Sequence, residues 1–235
     1  MGKPIEKAKL LLVEGRDEEE FFGALLARLG IVDIDVRAME GKSRLADRLK
    51  VLVNGPSAVP IQSVGIVQDG DNDPRAAFQS IGAALAAAGL PVPEAPQHPQ
   101  GDNPRITVMI LPDGVRPGML EDLCLAAVQS DPALACVDEF FVCLRESASY
   151  ASQNLAKARV RSFLAGMEWQ EERLFEALQE QFQGTPAAEP GISKLHAFLA
   201  TRYKPDLRLG TAAQAGYWPL DDAVFQPLGD FLRML

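Results

Sequence analysis

The sequence predicts an α/β protein with a mainly parallel sheet, flanking helices, and a mostly helical C-terminal half. Three observations predict it. Short, continuously apolar runs recur in the first half, the pattern of strands buried on both faces. Between them lie segments with apolar residues at helical spacing. After Leu111 the short runs stop and the helical pattern takes over. Strands alternating with helices imply parallel pairing, because each crossover helix must pack back on the sheet.

The first strand is read at Leu10-Leu11-Leu12-Val13, stopping at Glu14-Gly15. A helix follows, with Phe21, Phe22, Leu25, Leu26 and Leu29 on one face. Asp17, with Glu20 three residues later, reads as a capping-box start, and Gly30 as the stop. A second strand is expected across Ile31 to Met39, and a helix from Lys42 to Val53. Val64-Gly65-Ile66-Val67 is a third strand, ending at Gln68-Asp69. Pro74 opens a helix at its first position, where proline is tolerated, and that helix runs to Gly89. A proline-rich connection, Pro91 to Pro104, leads to a fourth strand at Ile106 to Leu111. Residues Met119 to Gln183 read as almost wholly helical, and short helices and loops are expected from Ile192 onward. The expected division is residues 1–115 as an α/β core and 116–235 as a helical extension packed on it.

Composition narrows the function classes. The chain has 235 residues, 47% apolar and 23% charged, which is ordinary for a globular protein. No apolar run approaches the roughly 18 residues of a membrane span, so no membrane partner is expected. The N-terminal residues lack the apolar core and cleavage site of a secretory signal. The three cysteines, Cys124, Cys136 and Cys143, are odd in number and without CxxC spacing. That argues against a disulfide framework or a zinc site and for a reducing cytoplasm. All three are expected to behave as small hydrophobes in apolar helices. The net charge of −9 argues against a general polyanion coat. A nuclease stays open, since its metal supplies positive charge locally.

In open parallel sheets function gathers at the carboxyl ends of the strands. Three of the four expected strands end there in acid: Val13-Glu14-Gly15, Asp69-Gly70-Asp71-Asn72-Asp73 and Leu111-Pro112-Asp113. Such carboxylates repel one another unless a cation intervenes, and hard oxygen donors suit Mg²⁺ or Mn²⁺. Glu14 is the hardest to read as inert, because an acid directly after a buried strand needs a partner.

Leu12-Val13-Glu14-Gly15-Arg16-Asp17, followed by a strand ending in Asp69-Gly70-Asp71, resembles the Toprim domain. Topoisomerases, bacterial primases and the overcoming-lysogenization-defect nucleases carry that domain. Its signature is a glutamate after the first strand and a DxD after a later one. The resemblance implies Glu14 as general acid/base and Asp69 and Asp71 as Mg²⁺ ligands. Gly118-Met119-Leu120-Glu121-Asp122-Leu123 and the tail with Gly216-Tyr217-Trp218 also resemble a smaller family of stand-alone Toprim-like prokaryotic proteins. The tyrosine-bearing and gate domains of a topoisomerase are lacking, as is a primase zinc-binding region, so those activities are not implied.

The expectation is a Mg²⁺-dependent phosphoryl-transfer enzyme, a nuclease on DNA or RNA. Glu14 is catalytic, and Asp69, Asp71, Asp73, Asp113 and Glu121 are candidate metal ligands. The alternative is a non-catalytic module that binds a nucleotide or protein partner, in a setting such as phage defence or genome maintenance. Each acid also has a structural reading. Asp17 and Asp73 suit helix caps, Asp113 suits a turn with Gly114, and Glu121 and Asp122 suit a first helical turn. Lys42 with Arg44, and the helical patch Lys157, Arg159 and Arg161, read as solvated charge. His98 and His196 belong to no zinc-ligand pattern, and Ser149, Ser152 and Ser193 lack a GxSxG setting. Tyr217 and Trp218 read as packing residues.

Overall fold

The computed structural model describes residues 5–39, 45–54, 60–148, 154–167 and 208–235. They fall into two compact units, Met1–Gln129 with Leu209–Leu235, and Ser130–Arg208. The first unit thus runs past residue 115 and takes in the C-terminal segment.

The first unit alternates strand and helix: β1 (Lys9–Val13), α1 (Arg16–Leu29), β2 (Ile34–Ala38), α2 (Leu45–Asn54), β3 (Ser63–Asp69), α3 (Pro74–Ala87) and β4 (Arg105–Leu111). The helix α4 (Leu120–Ala127) follows. The sheet has four strands in the order β2-β1-β3-β4, every neighbouring pair parallel. All seven residues of β3 are buried, which is why that run reads apolar without alternation.

Alternation still decides which face each residue serves. Leu10 and Leu12 of β1, Val64 and Ile66 of β3 and Ile106, Val108 and Ile110 of β4 share one core with Leu45, Leu49, Ile81 and Leu85 of α2 and α3. Leu11 and Gly65 point the other way. A Cβ on Gly65 would lie 2.7 Å from Leu235 Cδ1 and 3.1 Å from Leu11 Cδ1. The glycine therefore admits the Leu235 side chain against the sheet, and Leu235 is buried there.

The C-terminal segment of this unit holds α7 (Leu209–Gln214), a 3-10 turn (Ala223–Phe225) and α8 (Gln226–Met234). Gly210 meets α1 so closely that a Cβ would collide with the Asp17 carbonyl oxygen and, at 2.7 Å, with Glu20 Cβ. Thr211 Oγ1 donates to Glu20 Oε2 at 3.1 Å across the same crossing. Trp218 is buried, as expected, with Nε1 donating to the Leu209 carbonyl at 3.1 Å.

Several expectations need correction. Helix α1 starts at Arg16, with Gly15 as N-cap and no side-chain capping bond. Gly15 is fully extended (φ −143°, ψ −175°) and turns the chain straight out of β1, so Asp17 lies inside the first turn rather than at the cap. Gly30 does end the helix, in the left-handed conformation at φ 68°. The second strand is shorter than expected, Ile34–Ala38, because Val32 and Asp33 are exposed ahead of it. Cys124 is buried, but Cys136 and Cys143 are exposed on their helix, not packed as small hydrophobes.

The second unit contains α5 (Pro132–Ala148) and α6 (Leu155–Met167). Arg159 joins them through a two-bond ion pair, Nε and Nη2 to the two Asp138 carboxylate oxygens at 2.6 and 2.8 Å. One member of the expected basic patch is therefore a structural tie. Lys42, Arg44, Ser149, Ser152, Ser193 and His196 lie outside the described residues. Among the described residues, no helix is long and apolar enough to cross a membrane.

Candidate functional site

The strand order creates a switch point. From β1 the chain steps outward to β2 and then returns across β1 to β3, so the loops after β1 and β3 diverge at the carboxyl edge. In open α/β sheets a ligand crevice forms at such a point. Glu14 leaves β1 there and Asp69 ends β3. The Asp69 backbone N–H donates to Glu14 Oε1 at 2.9 Å. The expected partner of the buried-edge glutamate is thus the strand end bearing the first aspartate.

Asp69 is the most constrained acid. It is 4% exposed, and its Oδ1 accepts the Leu120 N–H at 3.0 Å, at the start of α4. That bond satisfies one of the helix's open N–H groups and aligns a negative charge with the helix dipole. The opposing influences are larger. Burial, followed by the negative charges of Glu14, Glu121 and Glu18, pushes the Asp69 carboxyl well above the ordinary carboxylate range. Glu121 is itself 9% exposed, in the first turn of α4. Glu14 and Glu18 are half-buried.

Asp71 belongs to the same edge but faces water. Its backbone is in the left-handed region at φ 45°, uncommon for a residue with a side chain. Two hydrogen bonds hold it there: Asp71 N–H to Gly118 O at 2.9 Å and Gly118 N–H to Asp71 O at 2.8 Å. This latch ties the DxD loop to the loop before α4. Gly70 between the aspartates must be small, since a Cβ would lie 2.7 Å from the Leu111 carbonyl oxygen.

The remaining two candidates serve local structure. Asp73 caps α3, its Oδ1 accepting the Ala76 N–H at 3.0 Å. Asp113 closes a turn, with Oδ1 accepting the N–H groups of Val115 and Arg116 at 3.0 and 2.8 Å and Oδ2 accepting Arg116 Nε at 2.6 Å. Burial pushes the Asp113 carboxyl up, but the Arg116 and Val115 N–H groups and the Arg116 guanidinium outweigh it and hold it below the ordinary range.

The structure therefore brings Glu14, Asp69 and Glu121 into one electrostatic neighbourhood, with Glu18 as a fourth member. Glu18 was not singled out because it sits in the run Asp17-Glu18-Glu19-Glu20, which reads as a solvated helix start. Only the fold brings its charge within reach of Asp69. The donor chemistry fits a hard divalent cation: buried carboxyl oxygens under mutual repulsion that a cation would relieve. Their positions do not yet form a coordination shell. Among the described residues no three His, Cys, Asp or Glu side chains converge closely enough to hold an ion. Charges can interact over such separations without sharing a coordination sphere, so the two observations are compatible.

Comparison with known proteins places these residues in a family. The family model described as "Protein of unknown function (DUF3226)" matches residues 8–189. No curated protein matches the chain. Among solved structures, the C-terminal region of the Xanthomonas campestris pv. campestris OLD protein, phased with iodine, is 16% identical with a TM-score of 0.44. That match covers 97% of this chain and 94% of the other. The same region phased with mercury gives 15% identity and a TM-score of 0.43, covering 97% and 95%. At this identity and superposition no functional residue carries over to this chain.

Proposed function

We propose that this chain, which belongs to the DUF3226 family, is a divalent-cation-dependent phosphoryl-transfer enzyme of Toprim type that cuts the phosphodiester backbone of DNA or RNA. The family's description assigns no activity, so the reading rests on the site. The observation that carries it is the Glu14–Asp69 junction: a glutamate leaving β1 bonded to the strand end that begins the DxD, with Asp69 buried among like charges.

In this reading Asp69 and Asp71 would hold Mg²⁺ or Mn²⁺, with Glu121 drawn in to complete the set. Asp73 and Asp113, committed to a cap and a turn, stand outside it. When bound, such an ion would supply positive charge to polarise a phosphoryl oxygen and favour deprotonation of water. Glu14 does the proton work. One of its oxygens is fixed by the Asp69 N–H, which restrains the carboxylate at the carboxyl end of β3. Leu120 N–H fixes Asp69 in the same way. The Asp71–Gly118 latch holds the second aspartate at the exposed end of the same loop.

The test is cleavage of plasmid DNA and of a labelled RNA with Mg²⁺ or Mn²⁺, by the wild type and by Asp71→Ala. Asp71 is exposed, so its replacement leaves the core intact, and Asp71→Asn, which tolerates the left-handed backbone at φ 45°, separates loss of the carboxylate from strain in the loop. Metal-dependent cleavage that Asp71→Ala abolishes supports the proposal; full activity in that variant overturns it. A second reading, a module that binds a nucleotide without cutting, draws support from the net charge of −9 and the unassembled coordination shell. Metal-dependent nucleotide binding with no cleavage selects it.

A further inference from the structure

An acidic chain with a carboxylate cluster repels the polyanion it is proposed to cut, so approach of a strand requires cations placed locally. The carboxyl edge supplies them in a regular way. Each of the three strands that ends in acid is followed, within its own loop or the next helical turn, by an arginine: Arg16 after Glu14, Arg75 after Asp73 and Arg116 after Asp113. All three are exposed. The strand order puts the β3 loop, with Asp69 and Asp71, between the other two. β1 and β4 are two strand spacings apart, about 10 Å, so Arg16 and Arg116 follow the strands on either side of the β3 loop, and Arg75 follows β3 itself.

Two of the three are anchored. Arg16 Nε donates to Glu20 Oε1 at 3.1 Å, and Glu20 is held in turn by Thr211. Arg116 Nε donates to Asp113 Oδ2 at 2.6 Å. Each anchor uses the Nε edge, and the two side chains remain 78% and 77% exposed. A guanidinium fixed at Nε and open to water elsewhere is pre-oriented for phosphate. The Asp71–Gly118 latch joins the β3 loop to the segment carrying Arg116, so those positions are set together. Among the described residues of this unit, Lys9 pairs with Asp33, Arg37 with Asp35, and Arg105 donates to the Met234 carbonyl.

We propose that Arg16, Arg75 and Arg116 form a phosphate-binding lip that lays a nucleic-acid strand across Asp69 and Asp71. The inference rests on the nuclease reading for its substrate class but is tested by binding alone. The full chain is titrated, in Ca²⁺ and over a range of KCl concentrations, against a fluorescein-labelled single-stranded DNA followed by anisotropy. The variants are Arg16→Ala/Arg75→Ala/Arg116→Ala and the matching triple lysine replacement, each checked by circular dichroism. Loss of three contacts should make the slope of log affinity against log salt shallower by about 2, at about 0.7 per phosphate on a single strand. The lysine variant should retain the wild-type slope. An unchanged slope in the alanine variant, or no binding by the wild type, overturns the lip. Cleavage is scored separately: a shallower slope with no wild-type cleavage keeps the lip and sinks the nuclease, and cleavage with an unchanged slope does the reverse.

Discussion

Glu14 Oε1 accepts the Asp69 backbone N–H at 2.9 Å, joining the ends of two neighbouring parallel strands 55 residues apart in the chain. The bond brings a carboxylate to the rim of a buried carboxyl. Its consequence is electrostatic: β1 and β3 cannot close their edge without setting negative charges against one another.

That repulsion makes stability depend on pH. Burial and the charges of Glu14, Glu121 and Glu18 raise the folded Asp69 carboxyl above its unfolded value. A raised group contributes stability that is fully present below the unfolded value and lost as pH rises through the folded one. Without divalent ions, the wild type should therefore lose stability on going from mildly acidic to neutral pH. Asp69→Asn keeps an acceptor for Leu120 N–H and removes the charge, so it should flatten this slope and raise the neutral Tm by a few degrees. Thermal unfolding between about pH 5 and pH 8 in EDTA checks it. A lower Tm for Asp69→Asn at neutral pH would falsify the electrostatic account.

The Asp71–Gly118 latch should be sensitive at the glycine. Gly118 has φ +148°, and a Cβ there would lie 2.9 Å from Pro112 Cδ and 3.0 Å from Asp122 Oδ2. Gly118→Ala should cost about 1–3 kcal/mol and weaken metal binding. Gly216→Ala, at φ +76° with nothing within 4 Å, carries backbone strain alone and should cost less. Urea midpoints compare the two, and equal losses would argue against a latch.

Gly65 and Leu235 should be coupled. Leu235→Ala removes a buried side chain and should cost about 2–4 kcal/mol. Gly65→Ala forces its Cβ into Leu235 and should also destabilise. In the double variant the collision is gone, so the combined loss should fall short of the sum by about 0.5–3 kcal/mol. Simple additivity would contradict the packing described for that face.

Asp73 offers a control for the site. As the α3 cap, its replacement by Ala should cost about 1 kcal/mol, while Ser should restore most of it. Neither change should alter metal-dependent activity. Activity lost in Asp73→Ser with stability intact would return Asp73 to the ligand set.

Much of this fold was legible because its signals are local. Continuous apolar runs, Pro74 at a helix start and Gly30 at a helix end each act within a few residues. That Glu14, Asp69 and Asp71 lie at the carboxyl ends of strands was legible, but their hydrogen-bond partners were not. The Leu120 N–H lies 51 residues from Asp69, and Glu18 sits in an acidic run until the fold brings its charge within reach of Asp69. The α1 start was misplaced because Gly15, a strand-exit residue, took the cap position that Asp17 appeared chemically suited to. The return of residues 209–235 to the first unit depends on Gly210 against α1 and Leu235 against Gly65, contacts with no local sequence signal.

The reading proposed for the carboxyl edge requires a divalent cation on Asp69 and Asp71. Calorimetric titration of Mn²⁺ and Mg²⁺ into the wild type and Asp69→Asn/Asp71→Asn tests it most directly. Saturable binding by the wild type, abolished in the double variant while its circular dichroism is unchanged, is the expected result. Equal binding by the two proteins, or none by the wild type with or without an oligonucleotide, would contradict it.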